Sequence, residues 1–292
     1  MTVFQTPGPI SVSLEFGVGD LRLVAGDGPD TVVEVRPTDP TSRADIDAAE
    51  QTRVDYASGS LSVRGSRSWR RWNPRGGRES IDVEIRLPQG SQVSAEVGVA
   101  TVHGAGRLGD IDIRTGMGDV RVDAAGAARI RTGFGDVWVE RISGDAEVST
   151  GSGRIELGSV TGSATVRNSN GETRIGQVAG RAQIRQANGA ISVDDAGSHV
   201  AARTALGDIR LGLVSCGGVE ARTSCGRIDI GVRDGVAAWL ELSTGFGRVN
   251  NDLDDMAGPP EQGETLEVRA RTAAGDINIR RIPVGAGTQL AG

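Results

Sequence analysis

Glycine pairs set between an arginine and an aspartate are the residues of this sequence that most resemble a ligand-binding loop. The segment at 131–140, RTGFGDVWVE, places Gly133 and Gly135 one residue apart, with Asp136 directly after them. Such a segment could cradle a phosphate group or supply an oxygen ligand to Ca²⁺. A phosphate-binding glycine loop, however, leads into the N-terminus of a helix. Here the motif occurs nine times and strand-like residues follow each copy, which predicts structural turns.

The residue that follows each anchoring glycine argues against a column of calcium ions. A calcium-binding β-helix needs an acidic oxygen ligand in every coil, but four of the nine positions hold arginine or alanine. The nine residues are Asp119, Asp136, Arg154, Glu172, Ala190, Asp208, Arg227, Arg248 and Asp276. We therefore expect no metal site and no cofactor.

Acidic and histidine side chains that could serve a hydrolase are few and scattered. They are Asp194, Asp195, Asp252, Asp254, Asp255, His103 and His199. General acid–base cleavage needs two carboxylates at a fixed separation across a cleft, and no motif here provides them. We expect no catalytic residues and a protein that is not an enzyme. A polysaccharide-cleaving β-helix enzyme is therefore only a less favoured alternative to the non-catalytic functions considered below.

The spacing of the repeated motif predicts the architecture. Most anchoring glycines lie 17 to 19 residues apart, and a second glycine follows about half a period later. The anchoring glycines are Gly118, Gly135, Gly153, Gly171, Gly189, Gly207, Gly226, Gly247 and Gly275. Apolar and polar residues alternate between them, which is the period of a β-strand. Units of this kind bury their apolar rows only by stacking, so the sequence predicts an all-β, single-domain parallel β-solenoid (β-helix) with coils of about 18 residues.

Three segments are expected along the chain, because solenoids need atypical ends to cover their exposed edges. A short helical turn is predicted at 45–50 within the first segment. The segments are an N-terminal cap with irregular first coils at 1–93, including an inserted Arg/Trp loop at 64–78; regular repeats at 94–283, including a loop at 252–264; and a flexible tail at 284–292.

Several spaced features together resemble a known bacterial family. These are the repeated T-G-x-G-D-[VI]-x-[VI] motif, the segment LPQGSQV at 87–93 and the closing RTAAGDINI at 271–279. The chain resembles, over nearly its whole length, the β-strand-repeat family of unknown function labelled "putative adhesin". The resemblance implies a non-catalytic scaffold or binding protein that contacts a protein, polymer or membrane partner. The alternative is a self-assembling intracellular scaffold like the bactofilins, in which exposed solenoid ends stack on one another.

Arginines at the start of each repeat form the most regular candidate contact surface. They are Arg114, Arg131, Arg167, Arg185, Arg203, Arg222 and Arg271. Because the residue before each arginine is apolar and points inward, the arginines point outward and stack about 4.8 Å apart. Ser149 and Ser243 interrupt the series. The column could face a linear anionic polymer or lipid headgroups, unless neighbouring Asp and Glu side chains neutralise it.

The loop at 64–78 is the second candidate contact surface. It contains six arginines and two tryptophans. Its candidate contact residues are Trp69, Arg70, Arg71, Trp72 and Arg75. Exposed Trp beside Arg is typical of protein interfaces and membrane surfaces. The alternative is a hairpin whose tryptophans pack against the cap.

The residue before each anchoring glycine, here called the corner slot, is often apolar. It is Met117, Phe134, Leu206, Cys225 or Phe246 in five of the coils. We expect these side chains to fill the inside of the corner.

Charge and hydropathy limit the partners. The formal net charge is −6, so no specific nucleic acid is expected. The sequence shows neither a signal peptide nor an apolar run of about 18 residues that would span a bilayer. We expect a cytoplasmic protein that could associate peripherally with a membrane.

Overall fold

The computed structural model describes residues 1–65, 79–253 and 265–283. The chain divides into two compact units, unit 1 at residues 1–153 and unit 2 at residues 154–292. Parallel strands dominate both units, and the described residues contain a single helix, in unit 1. The predicted all-β parallel solenoid is confirmed.

The described part of unit 1 contains twelve strands and the helix. They are β1 (Thr2–Gln5), β2 (Ser11–Gly26), β3 (Asp30–Pro37), α1 (Arg43–Gln51), β4 (Arg53–Ala57), β5 (Ser60–Arg64), β6 (Ile81–Pro88), β7 (Gln92–Arg107), β8 (Ile111–Met117), β9 (Val120–Ala125), β10 (Ala128–Phe134), β11 (Val137–Ile142) and β12 (Ala146–Ser152).

The described part of unit 2 contains thirteen strands. They are β13 (Ile155–Val160), β14 (Ala164–Asn170), β15 (Thr173–Val178), β16 (Ala182–Asn188), β17 (Ile191–Ala196), β18 (Val200–Arg203), β19 (Ile209–Val214), β20 (Gly217–Cys225), β21 (Ile228–Arg233), β22 (Ala237–Phe246), β23 (Val249–Asp252), β24 (Thr265–Ala274) and β25 (Ile277–Ile282).

Successive coils stack in register, so equivalent positions of the repeat become neighbours. In unit 1, Ile113 on β8 pairs with Ile130 on β10, which pairs in turn with Val148 on β12. In unit 2, Val166 on β14 pairs with Ile184 on β16. All five side chains are at most 1% exposed. Because full burial of such a side chain contributes about 1.5–3 kcal/mol, these apolar columns are the main stabilising feature of each unit.

The corners of the coils require glycine. All nine anchoring glycines have φ between 123° and 155°, a region that residues with a Cβ rarely adopt. A Cβ added to Gly135 would lie 2.2 Å from the carbonyl oxygen of Gly118 in the preceding coil. The glycine pair of RTGFGD is therefore a device for close backbone stacking.

The aspartate and the threonine of the motif bind backbone groups at the same corner. Asp119 Oδ1 accepts a hydrogen bond of 2.9 Å from the backbone N–H of Asp136 in the next coil. The buried Thr223 hydroxyl donates to the carbonyl of Gly207 at 3.0 Å. Polar groups at a turn that is buried need such partners. The repeated acid therefore has a structural role wherever its carboxylate accepts a hydrogen bond from a backbone N–H of the next coil.

The order of coils in space differs from their order in the chain in both units. In unit 1, β2 forms the first coil, and it pairs on one side with β7 and on the other with β5 and β6. In unit 2, the last coil, β24 and β25, lies between the coil of β20 and β21 and the coil of β22 and β23. Each terminal coil is therefore paired on both sides, and a different coil is outermost.

The outermost coil of unit 1, β5 with β6, is covered by further elements. Strand β4 pairs antiparallel with β5, β3 pairs antiparallel with β6, and β1 pairs antiparallel with β3. Helix α1 contacts β3 and β6, which confirms and lengthens the helical turn predicted at 45–50. The buried Asp45 carboxylate fastens the helix by accepting hydrogen bonds from the backbone N–H groups of Asp39 and Ser80, at 3.1 and 3.2 Å.

The outermost coil of unit 2, β22 with β23, is more open. Within the described ranges, β22 pairs only with β24, and β23 pairs only with β25. Trp239 is 75% exposed and Phe246 is 83% exposed, while Leu240 and Leu242 are half-buried. This coil therefore has one edge without a strand partner among the described residues.

Candidate anion-binding face

The arginines at the start of the repeats stack on the outer face of each unit. In unit 2 five of them are direct neighbours in the parallel register, and we call this set the arginine column. Its members in spatial order are Arg167, Arg185, Arg203, Arg222 and Arg271. Arg114 and Arg131 pair in the same way in unit 1, where Ser149 follows. The in-register fold thus brings residues tens of positions apart into one row.

Acidic side chains neutralise only part of this charge. Arg203 and Arg222 share Glu220, at 2.8 and 3.0 Å. Arg185 and Arg271 form no ion pair with any residue in the described ranges. Since one carboxylate balances one of the two guanidinium groups it binds, the column keeps a positive excess.

In unit 1 both arginines of the row, Arg114 and Arg131, have an ion-pair partner. Arg131 and Arg129 both bind Glu147, at 3.1 and 3.0 Å. Hydrogen bonds from Arg129 and then Arg131 hold the pKa of the Glu147 carboxyl below its ordinary value. Arg114 contacts Asp112 on its own strand at 3.3 Å. This part of the surface behaves as a mixed-charge ladder, which is the alternative that the sequence had left open.

A small pocket interrupts the face in unit 2, above Ala201. Its volume is about 220 Å³. Its polar lining residues are Arg181, Gln183, Arg185, His199, Arg203 and Glu220. Sequence reasoning named three of them: Arg185 and Arg203 as column members, and His199 as a residue that could serve a hydrolase. The alternation of the strands could have found the others, because 181, 183 and 185 share one face of the chain, as do 199, 201 and 203.

A larger groove lies in unit 1, with a volume of about 590 Å³. Its register places Arg22, His103, Arg121 and Trp138 on successive rungs. Five carboxylates and three arginines contribute to its lining. This excess of carboxylates does not favour an anionic ligand.

The acids considered for hydrolysis that lie in the described ranges are found in ion pairs or at strand ends. Asp194 accepts a hydrogen bond of 2.9 Å from Arg174, and this contact raises the pKa of the guanidinium. Asp252 ends β23 at the surface. Asp254 and Asp255 lie outside the described residues. Within the described ranges, no cluster of three His, Cys, Asp or Glu side chains could hold a metal ion.

The corner slot is exposed, contrary to the prediction that its side chains fill the inside of the corner. Met117, Phe134 and Leu206 are 51%, 58% and 55% exposed, and Cys225 and Phe246 are exposed as well. The glycine that follows the slot turns the backbone so tightly that the slot side chain points outward. The buried position at the corner belongs to threonine, as at Thr132 and Thr223.

The second predicted contact surface lies outside the described residues. It consists of Trp69, Arg70, Arg71, Trp72 and Arg75 within the loop at 64–78. The proposed loop at 252–264 and the tail at 284–292 also fall largely or wholly outside them. Among the described residues, no helix is long and apolar enough to cross a membrane.

Comparison with known proteins places the repeat in a family. The family model for Toastrack DUF4097 matches residues 29–280. None of the curated proteins matches the chain. A solved structure from Bacteroides fragilis, described as a "putative adhesin", is 12% identical, with 96% of this chain and 95% of that chain covered and a TM-score of 0.34. Similarly described structures from Parabacteroides merdae and Parabacteroides distasonis are 10% and 11% identical, with the same coverage and TM-scores of 0.36 and 0.37. The match over 29–280 confirms the predicted resemblance to a strand-repeat family of unknown function, and the chain belongs to the Toastrack DUF4097 family.

Proposed function

We propose that this protein is a non-catalytic binding protein whose arginine column contacts a linear anionic polymer. The observation that supports this most directly is the register of five arginines on successive rungs of unit 2. At about 4.8 Å per rung, the column presents positive groups over about 19 Å in one line.

The charge of the column favours a ligand over internal compensation. Like charges on directly opposite positions of neighbouring strands repel one another. Glu220 is the carboxylate that bridges two column members, while Arg185 and Arg271 have no ion-pair partner in the described ranges. A partner that carries regularly spaced anionic groups would relieve this repulsion along the whole row.

The surroundings of the column favour a polymer over a membrane. Three positions downstream of each arginine the chain reaches the corner slot, and in spatial order these slots hold Asn170, Asn188, Leu206, Cys225 and Ala274, so the polar slots lie at the Arg167 end. Asn188 donates a hydrogen bond to Asn170 at 2.8 Å, so this end of the row is polar. A bilayer surface would favour a continuous apolar strip next to the arginines.

Removal of two column arginines tests the proposal. We expect Arg222→Ser with Arg271→Ser to elute from immobilised heparin at lower salt than the wild type. The slope of log Kd against log salt should fall by about 2, since each lost arginine releases about one fewer counterion. Serine occupies the same slot at Ser149 and Ser243, so the fold accepts it there.

The matched control removes the same charge away from the column. Arg210→Ser with Arg227→Ser changes two exposed arginines of unit 2 that do not belong to the row. This control should bind heparin nearly as the wild type does. Equal losses in both double variants would show attraction to net charge alone and would overturn the proposal. Binding to vesicles of anionic phospholipid, but not to heparin, would assign the face to membranes instead.

A second candidate function is self-assembly, and the open edge of β22 and β23 favours it. An edge strand without a partner offers unpaired backbone donors and acceptors to another chain. Trp239, Phe246 and Val249 add exposed apolar surface to the same coil. Two copies that join through this coil would give the end-to-end contact expected of a bactofilin-like scaffold.

Sedimentation at increasing protein concentration tests self-assembly. We expect the wild type to form dimers or longer species, and Trp239→Glu with Phe246→Glu to stay monomeric because charge at the contact opposes association. Met117→Glu with Phe134→Glu is the control, since it places the same charges in exposed corner slots of unit 1. A wild type that remains monomeric throughout, or a control that dissociates equally, would contradict this candidate.

A further inference from the structure

We infer that the pocket above Ala201 binds one tetrahedral oxyanion, such as a phosphate or sulfate group. The pocket has a structural cause. Ala201 on β18 lies between Gln183 on β16 and Glu220 on β20 in the parallel register. A methyl group between two long side chains leaves a depression, and its volume is about 220 Å³.

Arginine and histidine side chains lie at both ends of the depression, along the row of Ala201 and the neighbouring row of Gln183. Along β18 and the residue before it, His199, Ala201 and Arg203 share the outer face, because side chains alternate along a strand. Along β16, Arg181, Gln183 and Arg185 share that face in the same way. The Ala182 backbone N–H donates to the His199 carbonyl at 2.9 Å, which sets these two rows side by side.

The resulting arrangement is a grid of two rows and three columns. Arg181 and His199 occupy one end, Arg185 and Arg203 occupy the other, and Gln183 lies beside Ala201 in the middle. Long guanidinium groups can bend inward from both ends over the small central residue. Guanidinium groups bent inward in this way would present several N–H donors to one tetrahedral oxyanion.

The charge of the lining favours an anion. Glu220 is the only carboxylate among the described lining residues; it accepts a hydrogen bond from Arg203 at 2.8 Å and forms an ion pair with Arg222 at 3.0 Å. Arg181 and Arg185 form no ion pair with any residue in the described ranges. Two guanidinium groups therefore face a concave site without a carboxylate partner, and concave sites focus potential.

No other described rung of unit 2 repeats this arrangement. The positions equivalent to Ala201 hold Thr165, Gln183, Glu220, Arg269 and Glu241, all of which are larger. A larger residue in the middle fills the space that an anion would occupy. The pocket is therefore a local departure from the repeat, and this distinguishes it from the arginine column that passes through it.

The inference deepens the proposed function and rests on it, because Arg185 and Arg203 belong to both the pocket and the column. The anionic group could come from a free anion, a phosphate ester or a sulfated polymer. These sources share the same tetrahedral oxyanion, so the experiment separates them by using different probes.

Calorimetric titration of the full chain tests the pocket. The probes are inorganic phosphate, glycerol 3-phosphate and inorganic sulfate, each at constant ionic strength, with acetate as the planar control anion. We expect saturable binding of at least one tetrahedral anion and weaker binding of acetate. Ala201→Leu, which fills the depression and keeps every cation, should weaken that binding by about tenfold or more. Saturation by phosphate alone, by the ester alone or by sulfate alone would identify the source.

A second variant guards against misfolding and separates the two proposals. Arg185→Ser removes one donor at a slot where serine occurs naturally, and it should weaken tetrahedral-anion binding several-fold while the circular dichroism spectrum stays unchanged. Arg271→Ser alone should keep phosphate affinity, since Arg271 neither lines the pocket nor pairs with Glu220. Unsaturable titration in the wild type, or equal affinity in Ala201→Leu, overturns the pocket even if heparin binding persists. If the wild type binds no phosphate, but Arg222→Ser with Arg271→Ser loses heparin binding, the pocket is refuted and the proposal for the arginine column stands.

Discussion

The outermost coils of the two units differ in how their edges are covered. In unit 1, β5 and β6 carry antiparallel partners and helix α1, and the inward side chains of Leu61 and Ile85 are fully buried. In unit 2, β22 and β23 pair on one side only within the described ranges, and Leu240 and Leu242 are half-buried. One outermost coil is therefore covered, and the other has an edge without a strand partner among the described residues.

This difference separates what the repeat encodes from what its surroundings add. The repeat supplies strands, corners and an apolar row in both units. It does not supply a cover, because a cover must break the pattern that lets coils stack without limit. Self-association is therefore expected at the coil of β22 and β23, and not at the coil of β5 and β6.

Alanine at the corner glycines should show the largest difference between a coil that is paired on both sides and the outermost coil of unit 2. A Cβ at Gly19 would lie 1.7 Å from the Ile81 carbonyl oxygen, and β2 is held on both sides. A Cβ at Gly247 would lie 2.0 Å from the Gly275 carbonyl oxygen, but its coil can shift outward. We expect Gly19→Ala to lower the free energy of unfolding by about 3 kcal/mol and Gly247→Ala by about 1 kcal/mol. Chemical denaturation followed by circular dichroism measures both.

Two controls make that comparison sharper. Gly28→Ala should be nearly neutral, since no atom lies within 4 Å of the added Cβ and φ is not in the positive region. Gly275→Ala, in the doubly paired coil of unit 2, should behave like Gly19→Ala. If Gly247→Ala proves as costly as Gly275→Ala, the outermost coil of unit 2 is held as firmly as an inner one, and the comparison fails.

Ion pairs on the outer face should contribute far less to the free energy of unfolding than the elements that cover the outermost coil of unit 1. Glu147 provides the test. Its carboxyl pKa is lowered in the folded protein, so its stabilising effect is present above the unfolded value and lost as pH falls through the folded one. We expect Glu147→Gln to reduce the free energy of unfolding by about 0.5 kcal/mol at neutral pH, because exposed ion pairs are weak. The difference should shrink as pH falls below the ordinary pKa of glutamate and vanish only below the lowered pKa of the folded protein.

The pH series decides between two explanations for any effect at Glu147. A loss of stability that persists undiminished in acid would point to packing by the glutamate side chain and not to its charge. A loss of several kcal/mol at neutral pH would show that the ion pairs of Glu147 stabilise the protein as much as the elements that cover the outermost coil of unit 1.

Periodic features of this protein were predictable because each is set by a fixed offset in the repeat. Ile113, Ile130 and Val148 share an offset, and so do Arg167 and Arg185; parallel register turns equal offsets into neighbours. The family resemblance could be stated from the same motif. Sequence also indicated the helix, whose N-cap Ser42 accepts from the Asp45 N–H.

Features that depart from periodicity were not predictable in this way. Strand pattern does not say which coils are neighbours, so the position of β24 beside β20 requires the three-dimensional pairing. The corner slot was misread because an apolar residue beside a turn can face either way. Phe134 faces outward since Thr132 takes the interior and donates to the Phe134 carbonyl at 3.2 Å.

The pocket above Ala201 is another feature that departs from the periodicity of the repeat. Reasoning from repeats looks for what recurs, and it passes over the rung where a small residue replaces a large one. Arg181 and His199 belong to no regular column, yet they complete the lining with Arg185 and Arg203. Sites on repetitive folds are best sought where the repeat is broken.

The interleaved end coils also bear on mechanical load. In a solenoid whose coils stack in chain order, tension on a terminus peels the last coil away one hydrogen bond at a time. Here a pull on residue 283 reaches β25 and β24 while ladders hold them on both flanks, so two sets of bonds must shear together. A pull at the other terminus strips β1 from β3 and then meets β2, clamped in the same way. Tension on either terminus therefore reaches an inner coil before it reaches the outermost coil of that unit.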